Sequence, residues 1–180
     1  MANTSTVGFI MKSQDVIVAV KLLLLNGEKF TFAELGKSLQ ISASETHGAI
    51  NRLKESFIYD PFTKMVRKKA LEEFLIHGIQ YVFPASPDKP ARGVLTGYSS
   101  PFMRNDFTVG KHDDVYIWPY SYGKDRGISI QPLYQSVPEV CLKDESLYHW
   151  LSVIDMLRLN RARERDIAII HLKNLLKEIT

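Results

Sequence analysis

The chain has 180 residues, 45% of them hydrophobic and 24% charged, with a formal net charge of +3. A chain of this size and composition can bury its own core without metals or disulfides. Its single cysteine, Cys141, excludes an intramolecular disulfide and a cysteine-based zinc cluster. The longest apolar run, Leu22 to Leu25, is far short of a membrane span. The opening MANTSTVGFIMK has one lysine and no long apolar core, so a cytoplasmic protein without a secretory signal is expected.

Residues 1–12 read as a lead-in that contributes Phe9 and Ile10 to the core. Ser13 is placed to cap a helix running to about Leu25, with Val16, Val20, Leu23 and Leu24 on one face, and Asn26-Gly27 stops it. Two helix starts of capping-box form follow, Thr31-Phe-Ala-Glu34 and Ser42-Ala-Ser-Glu45. In such a box the hydroxyl accepts from the third helical N–H and the glutamate reaches back. Between them lies a short helix, Phe32 to about Leu39, whose Phe32, Leu35 and Leu39 side must pack on neighbours because so short a helix cannot stand alone. The next helix runs from Ala43 to about Glu55. Residues 57–67 place aromatic and β-branched side chains around an Asp60-Pro61 turn, which predicts a hairpin. A fourth helix is expected over about Lys68 to Tyr81, with Leu71, Phe74, Leu75 and Ile79 inward and Pro84 beyond its end. Helix, helix, helix, hairpin, helix is the order of a winged helix-turn-helix, an α+β fold that is mainly α. Residues 1–83 are therefore expected to form a DNA-binding domain.

Composition changes after that. Of eight prolines, seven lie between Pro84 and Pro138, with five of the ten glycines and eight of the nineteen aromatics. Proline blocks continuous helix, but this much aromatic surface argues against a disordered linker. Residues 84–143 thus read as an ordered, loop-rich connector with little regular structure. Val115–Pro119 and Ile128–Ile130 can pair in it as a small hairpin. Tyr116, Trp118 and Tyr120 alternate, and packing onto the flanking helices is favoured over an exposed stacking face. From residue 144 to 180 the pattern is helical again, with Leu147, Trp150, Leu151, Ile154 and Leu157 in one stripe and Leu172, Leu175, Leu176 and Ile179 in another. Asn160 can adopt the left-handed conformation that closes the first of two helices. These stripes suggest a homodimer interface.

At 100° per residue, Ala43, Thr46, Ile50, Leu53 and Phe57 gather on the core side of the helix that starts at Ser42. Ser44, Glu45, Gly48, Asn51, Arg52 and Glu55 lie opposite, with His47 and Lys54 at the margins. An apolar back and a polar front are what a recognition helix needs. Asn51 can read adenine, Arg52 guanine, and Ser44 a base or a phosphate. Gly48 has two readings: a close approach to the groove floor, or room for a crossing neighbour. From Ser42 to Ala70 six basic residues face three acids. Lys64 and Arg67 fall where a wing meets phosphates. The candidate DNA contacts are Thr31, Ser42, Ser44, His47, Asn51, Arg52, Lys54, Lys64 and Arg67.

Other constellations are weaker. The five histidines show no ligand spacing, and His112-Asp113-Asp114 reads as a solvated loop rather than a metal corner. No GxSxG, P-loop or HExxH pattern occurs, so neither an enzyme nor a cofactor is expected. Arg158, Arg161, Arg163 and Arg165 lie within reach of Asp155, Glu164 and Asp166, which favours an ion-pair network at a helix junction over an RNA contact.

The order through residue 83 resembles the MarR-like winged helix-turn-helix regulators of bacteria and archaea. LIHGIQYVFP (75–84), ARGV (91–94), QPLYQSVPE (131–139) and DMLRLNRARER (155–165) are similar to segments of a poorly characterised group of such regulators. The resemblance implies double-stranded DNA as partner, with Ser44, Asn51 and Arg52 on the recognition helix and Lys64 and Arg67 on the wing. Some similar proteins are encoded beside nucleotidyltransferase-type partners of abortive-infection systems, which implies an antitoxin-like or autoregulatory role. The proline-rich insertion departs from the MarR pattern, so that family's ligand pocket does not carry over. The leading expectation is a dimeric, sequence-specific repressor. The alternatives are a protein-binding module, such as the partner of a toxin, and an RNA binder.

Overall fold

From Val16 to Val20 the first helix is apolar all round, so it has no face to give to water. In a computed structural model, which describes residues 10–106 and 114–179, this α1 (Ser13–Leu25) is buried along most of its length rather than on one stripe. Asn26 ends it in the left-handed conformation at φ 45°. Ile10, expected in the core, is 81% exposed, and Phe9 lies outside the described residues.

The helix α2 (Phe32–Leu39) begins with a complete capping box: Glu34 N–H donates to Thr31 Oγ1 at 3.1 Å, and Thr31 N–H to Glu34 Oε2 at 2.8 Å. Leu35 and Leu39 are buried, but Phe32 is 42% exposed and meets the His47 ring edge-on at 4.9 Å. Three residues separate α2 from α3 (Ala43–Glu55), the first of them, Gln40, turning through φ 54°. That turn is tight because position 36 has no side chain. A Cβ there would stand 2.5 Å from the Ile41 carbonyl oxygen and 2.8 Å from Thr46 Oγ1. Ser42 caps α3 by accepting from Glu45 N–H at 3.1 Å. The second box is only half formed, because the Glu45 carboxylate turns to Arg52 instead of back to Ser42. Thr46, Ala49, Ile50 and Leu53 are buried behind α3, whereas Ala43 and Phe57, expected there, are exposed; Phe57 sits at φ 60° as the chain leaves the helix.

The hairpin follows as β1 (Tyr59–Asp60) and β2 (Met65–Val66), antiparallel, with Tyr59 opposite Val66. The expected fourth helix is interrupted. It divides into α4 (Lys68–Glu73), a π turn over Phe74–Gly78, and α5 (Ile79–Val82). Leu71, Leu75 and Ile79 are buried, while Phe74 is only half-buried. Arg165 Nη2 donates to the Ile76 carbonyl in the π turn at 2.6 Å.

The middle has more regular structure than its prolines suggest. A nine-residue strand, β3 (Pro87–Leu95), pairs antiparallel with both β4 (Tyr116–Pro119) and β5 (Asp125–Ile130). The register shifts between Pro87 and Pro90, so the prolines, which have no N–H for a ladder, sit at an irregularity. The expected hairpin is not one: β4 and β5 pair parallel, Tyr116 opposite Ile128. Both run along β3, and Gly93 faces Pro119 and Asp125 at the junction. A Cβ on Gly93 would stand 1.9 Å from the Trp118 carbonyl oxygen. Tyr116 and Trp118 are buried as expected, and Tyr120 is half-buried.

The chain ends in α6 (Val137–Cys141), α7 (Glu145–Leu159) and α8 (Ala162–Glu178), the last two separated by Asn160 at φ 51°. The whole α7 stripe is covered within the chain, which removes it as a surface for a second copy. Asp155 of α7 is buried and accepts from Trp118 Nε1, Thr96 Oγ1 and Arg158 Nη1 at 2.5–2.8 Å. Arg158 also donates to the carbonyls of Phe83 and Gln131. Of the remaining arginines, Arg161 lies over the Tyr116 ring, 5.3 Å from its centre, and Arg163 is exposed. Neither Glu164 nor Asp166 forms an ion pair among the described residues, so the expected network reduces to Arg158 with Asp155. Helices and a small sheet thus share one apolar cluster that runs from α1 to α8. No helix among the described residues is long and apolar enough to cross a membrane.

Candidate nucleic-acid interface

With its apolar side fixed against α1 and α2, α3 turns its other side outward. Ser44, His47, Lys54 and Glu55 are exposed and Asn51 is half-buried on the same face, while the helices packed behind α3 are α2 and α1. Asn51 Nδ2 and His47 Nε2, one turn apart, stand 3.4 Å from each other. They form one contiguous polar patch beside the exposed hydroxyl of Ser44.

Arg52 does not belong to that patch. Its guanidinium folds back on α1, where Nε and Nη2 donate to the two oxygens of Asp15 at 2.8 and 2.7 Å. Nη2 also donates to Glu45 at 2.6 Å. The Asp15 side chain is wholly buried and that of Arg52 is 12% exposed. Asp15 further accepts Lys12 N–H at 2.8 Å, which closes the start of α1. The hydrogen bonds that Arg52 donates to Asp15 hold its pKa above the ordinary value, against the desolvation that opposes it. Burial pushes Glu45 up, but bonds from Arg52, Gln14 and Lys12 together bring it below the ordinary carboxylate range. Bidentate pairing leaves Arg52 no fork to offer a guanine, so its expected role as a base reader is corrected to that of a clamp between α3 and α1. The same geometry accounts for Gly48: a Cβ there would lie 3.2 Å from Arg52 Nη1, so the missing side chain makes room for the folded guanidinium.

Two further candidates have their hydroxyls engaged locally. Thr31 Oγ1 both accepts from Glu34 N–H and donates to Glu34 Oε2, and Ser42 Oγ holds Glu45 N–H. They act as caps. On the hairpin, Lys64 is exposed at φ 58°, and Arg67 is 45% exposed and 3.5 Å from Asp60. Asp60 takes the Phe62 N–H at 2.9 Å, and this bond, with help from Arg67, lowers its pKa. That bond pins the hairpin tip, with Phe62 95% exposed upon it.

Asp15 was the residue that the sequence reading missed. Its signal was available: a lone carboxylate three positions into a helix and followed by five apolar residues has to be buried with a cation. His112 and Asp113 lie outside the described residues, and no group of three metal-ligating side chains gathers among those described. Comparison with family models, curated proteins and solved structures returns no match for this chain.

Proposed function

We propose that the protein is a sequence-specific, double-stranded-DNA-binding regulator of winged helix-turn-helix type. It would act by occupying DNA, as a repressor does, and perform no chemistry. The observation that carries this reading is the exposed polar face of α3, flanked by the Lys64–Arg67 hairpin. Asn51 is the residue suited to reading an adenine bidentately, and His47 and Ser44 offer further donors or acceptors to base edges. Lys54 and Lys64 would meet phosphates. Removal of Arg52 from the reading set shifts the expected base preference from guanine toward adenine at the centre of the site. A two-fold dimer is not required for one such contact, and the α7 stripe that suggested a homodimer is occupied within the chain.

Selection of bound fragments from random duplex DNA tests the reading. It should enrich one short motif. Asn51→Ala should then cost about 1–3 kcal/mol at a single base position, whereas Lys64→Ala should weaken all duplexes alike and lower the salt slope by about 0.9. Failure of the wild-type protein to enrich any duplex would end the proposal.

A further inference from the structure

The hairpin is not the end of the basic surface. Directly after Arg67 come Lys68 and Lys69 in the first turn of α4, and α8 packs against α4 there. Between the two helices lies a groove of about 370 Å³, lined by Lys68, Lys69, Glu72, Lys173, Leu176 and Lys177.

 

Four ammonium groups and one carboxylate therefore share a single depression. Lysine stems and Leu176 form its walls, which leaves the charges at the rim. Lys68 Nζ donates to the Ile179 carbonyl. Lys69, Lys173 and Lys177 form no ion pair among the described residues, and all three are exposed.

We propose that this α4–α8 lysine groove is a second phosphate contact for duplex DNA, with Lys69, Lys173 and Lys177 gripping the backbone beyond the hairpin. The inference rests on the DNA-binding reading of α3 and extends its footprint. Continuity along the chain favours DNA over an acidic protein: Lys64 and Arg67 belong to the hairpin, and Lys68 and Lys69, which follow directly, line the groove. Flexible ammonium groups suit phosphates whose spacing is fixed but whose bases go unread. The groove should therefore add affinity and salt dependence without adding sequence preference.

The test compares the wild-type chain with Lys173→Gln/Lys177→Gln on the selected duplex, in a short form and in a form extended by one helical turn at each end. Each neutralised phosphate contributes about 0.9 to the salt slope, so the double variant should lose about 1.8 on the extended duplex. Raising salt from 50 to 200 mM would then weaken the variant about twelvefold less than the wild type. The variant should select the same motif, and Lys173→Arg/Lys177→Arg should restore the slope. Both residues are exposed, so the thermal midpoint should stay in place and serve as the control for folding. An unchanged slope on the extended duplex would overturn the groove proposal while leaving the α3 reading intact. A wild-type protein that binds no duplex would overturn both.

Discussion

Replacing Arg52 with methionine separates a clamp from a base reader. The substitution keeps the aliphatic stem and removes the two hydrogen bonds to Asp15, at 2.8 and 2.7 Å, leaving only Lys12 N–H on a carboxylate that is wholly buried. Hydrogen bonds to charged groups are worth about 1.5–3 kcal/mol each, and breaking a buried pair from one side costs about 3–5 kcal/mol. The Glu45 bond adds little, since that side chain is 30% exposed and water screens it. A loss of about 3–4 kcal/mol is expected, or roughly 6–16 °C in thermal midpoint for a chain of this size. Urea unfolding of Arg52→Met, Asp15→Asn and the double variant would measure it, the double variant losing less than the sum of the two singles. At a temperature where Arg52→Met remains folded, its base preference on the selected duplex should match the wild type. Unchanged stability, together with a loss of discrimination at one base position, would refute the clamp and restore Arg52 to the reading face.

Two further outcomes follow from local geometry. Gly36→Ala should cost about 1–3 kcal/mol, because its Cβ meets a backbone carbonyl and the buried Thr46 and the α2–α3 turn has to open; an unaltered midpoint in thermal unfolding would contradict this. His149, stacked on Phe102 at 4.7 Å, has its pKa lowered from 6.5 by burial and then by neighbouring His171, with Glu178 and Glu145 opposing. The native form thus takes a proton less readily than the unfolded chain. Its share of stability is whole above about pH 6.5 and declines as pH falls through that value toward the native pKa. His149→Phe should flatten this part of the stability–pH curve in denaturant titrations, and an equally steep decline in the variant would count against the assignment.

Local signals were read well where they act locally. Thr31, Ser42, Asn26 and Asn160 fix helix ends through their own backbone and neighbours, and the helices begin or stop beside them as expected. Long-range choices were harder. Residues 84–143 read as loop-rich with little regular structure, yet β3 absorbs Pro87 and Pro90 at a register shift, and β4 and β5 pair parallel because β3 is the antiparallel partner of both. The site failed in the same way. Helical projection placed Arg52 on the outer side of α3, and only the position of Asp15, 37 residues earlier, shows where its guanidinium goes. Periodicity alone puts Phe32 and Phe57 inward, whereas they stand 42% and 70% exposed.

The central place of α7 bears on how the chain comes into being. The first helix is apolar all round from Val16 to Val20 and packs against a helix that begins at residue 145. On the ribosome, α1 through the hairpin emerge long before Trp150 or Ile154 has been translated. Those earlier elements must therefore carry an uncovered oily flank until α7 has been made, a stage at which chaperones commonly intervene.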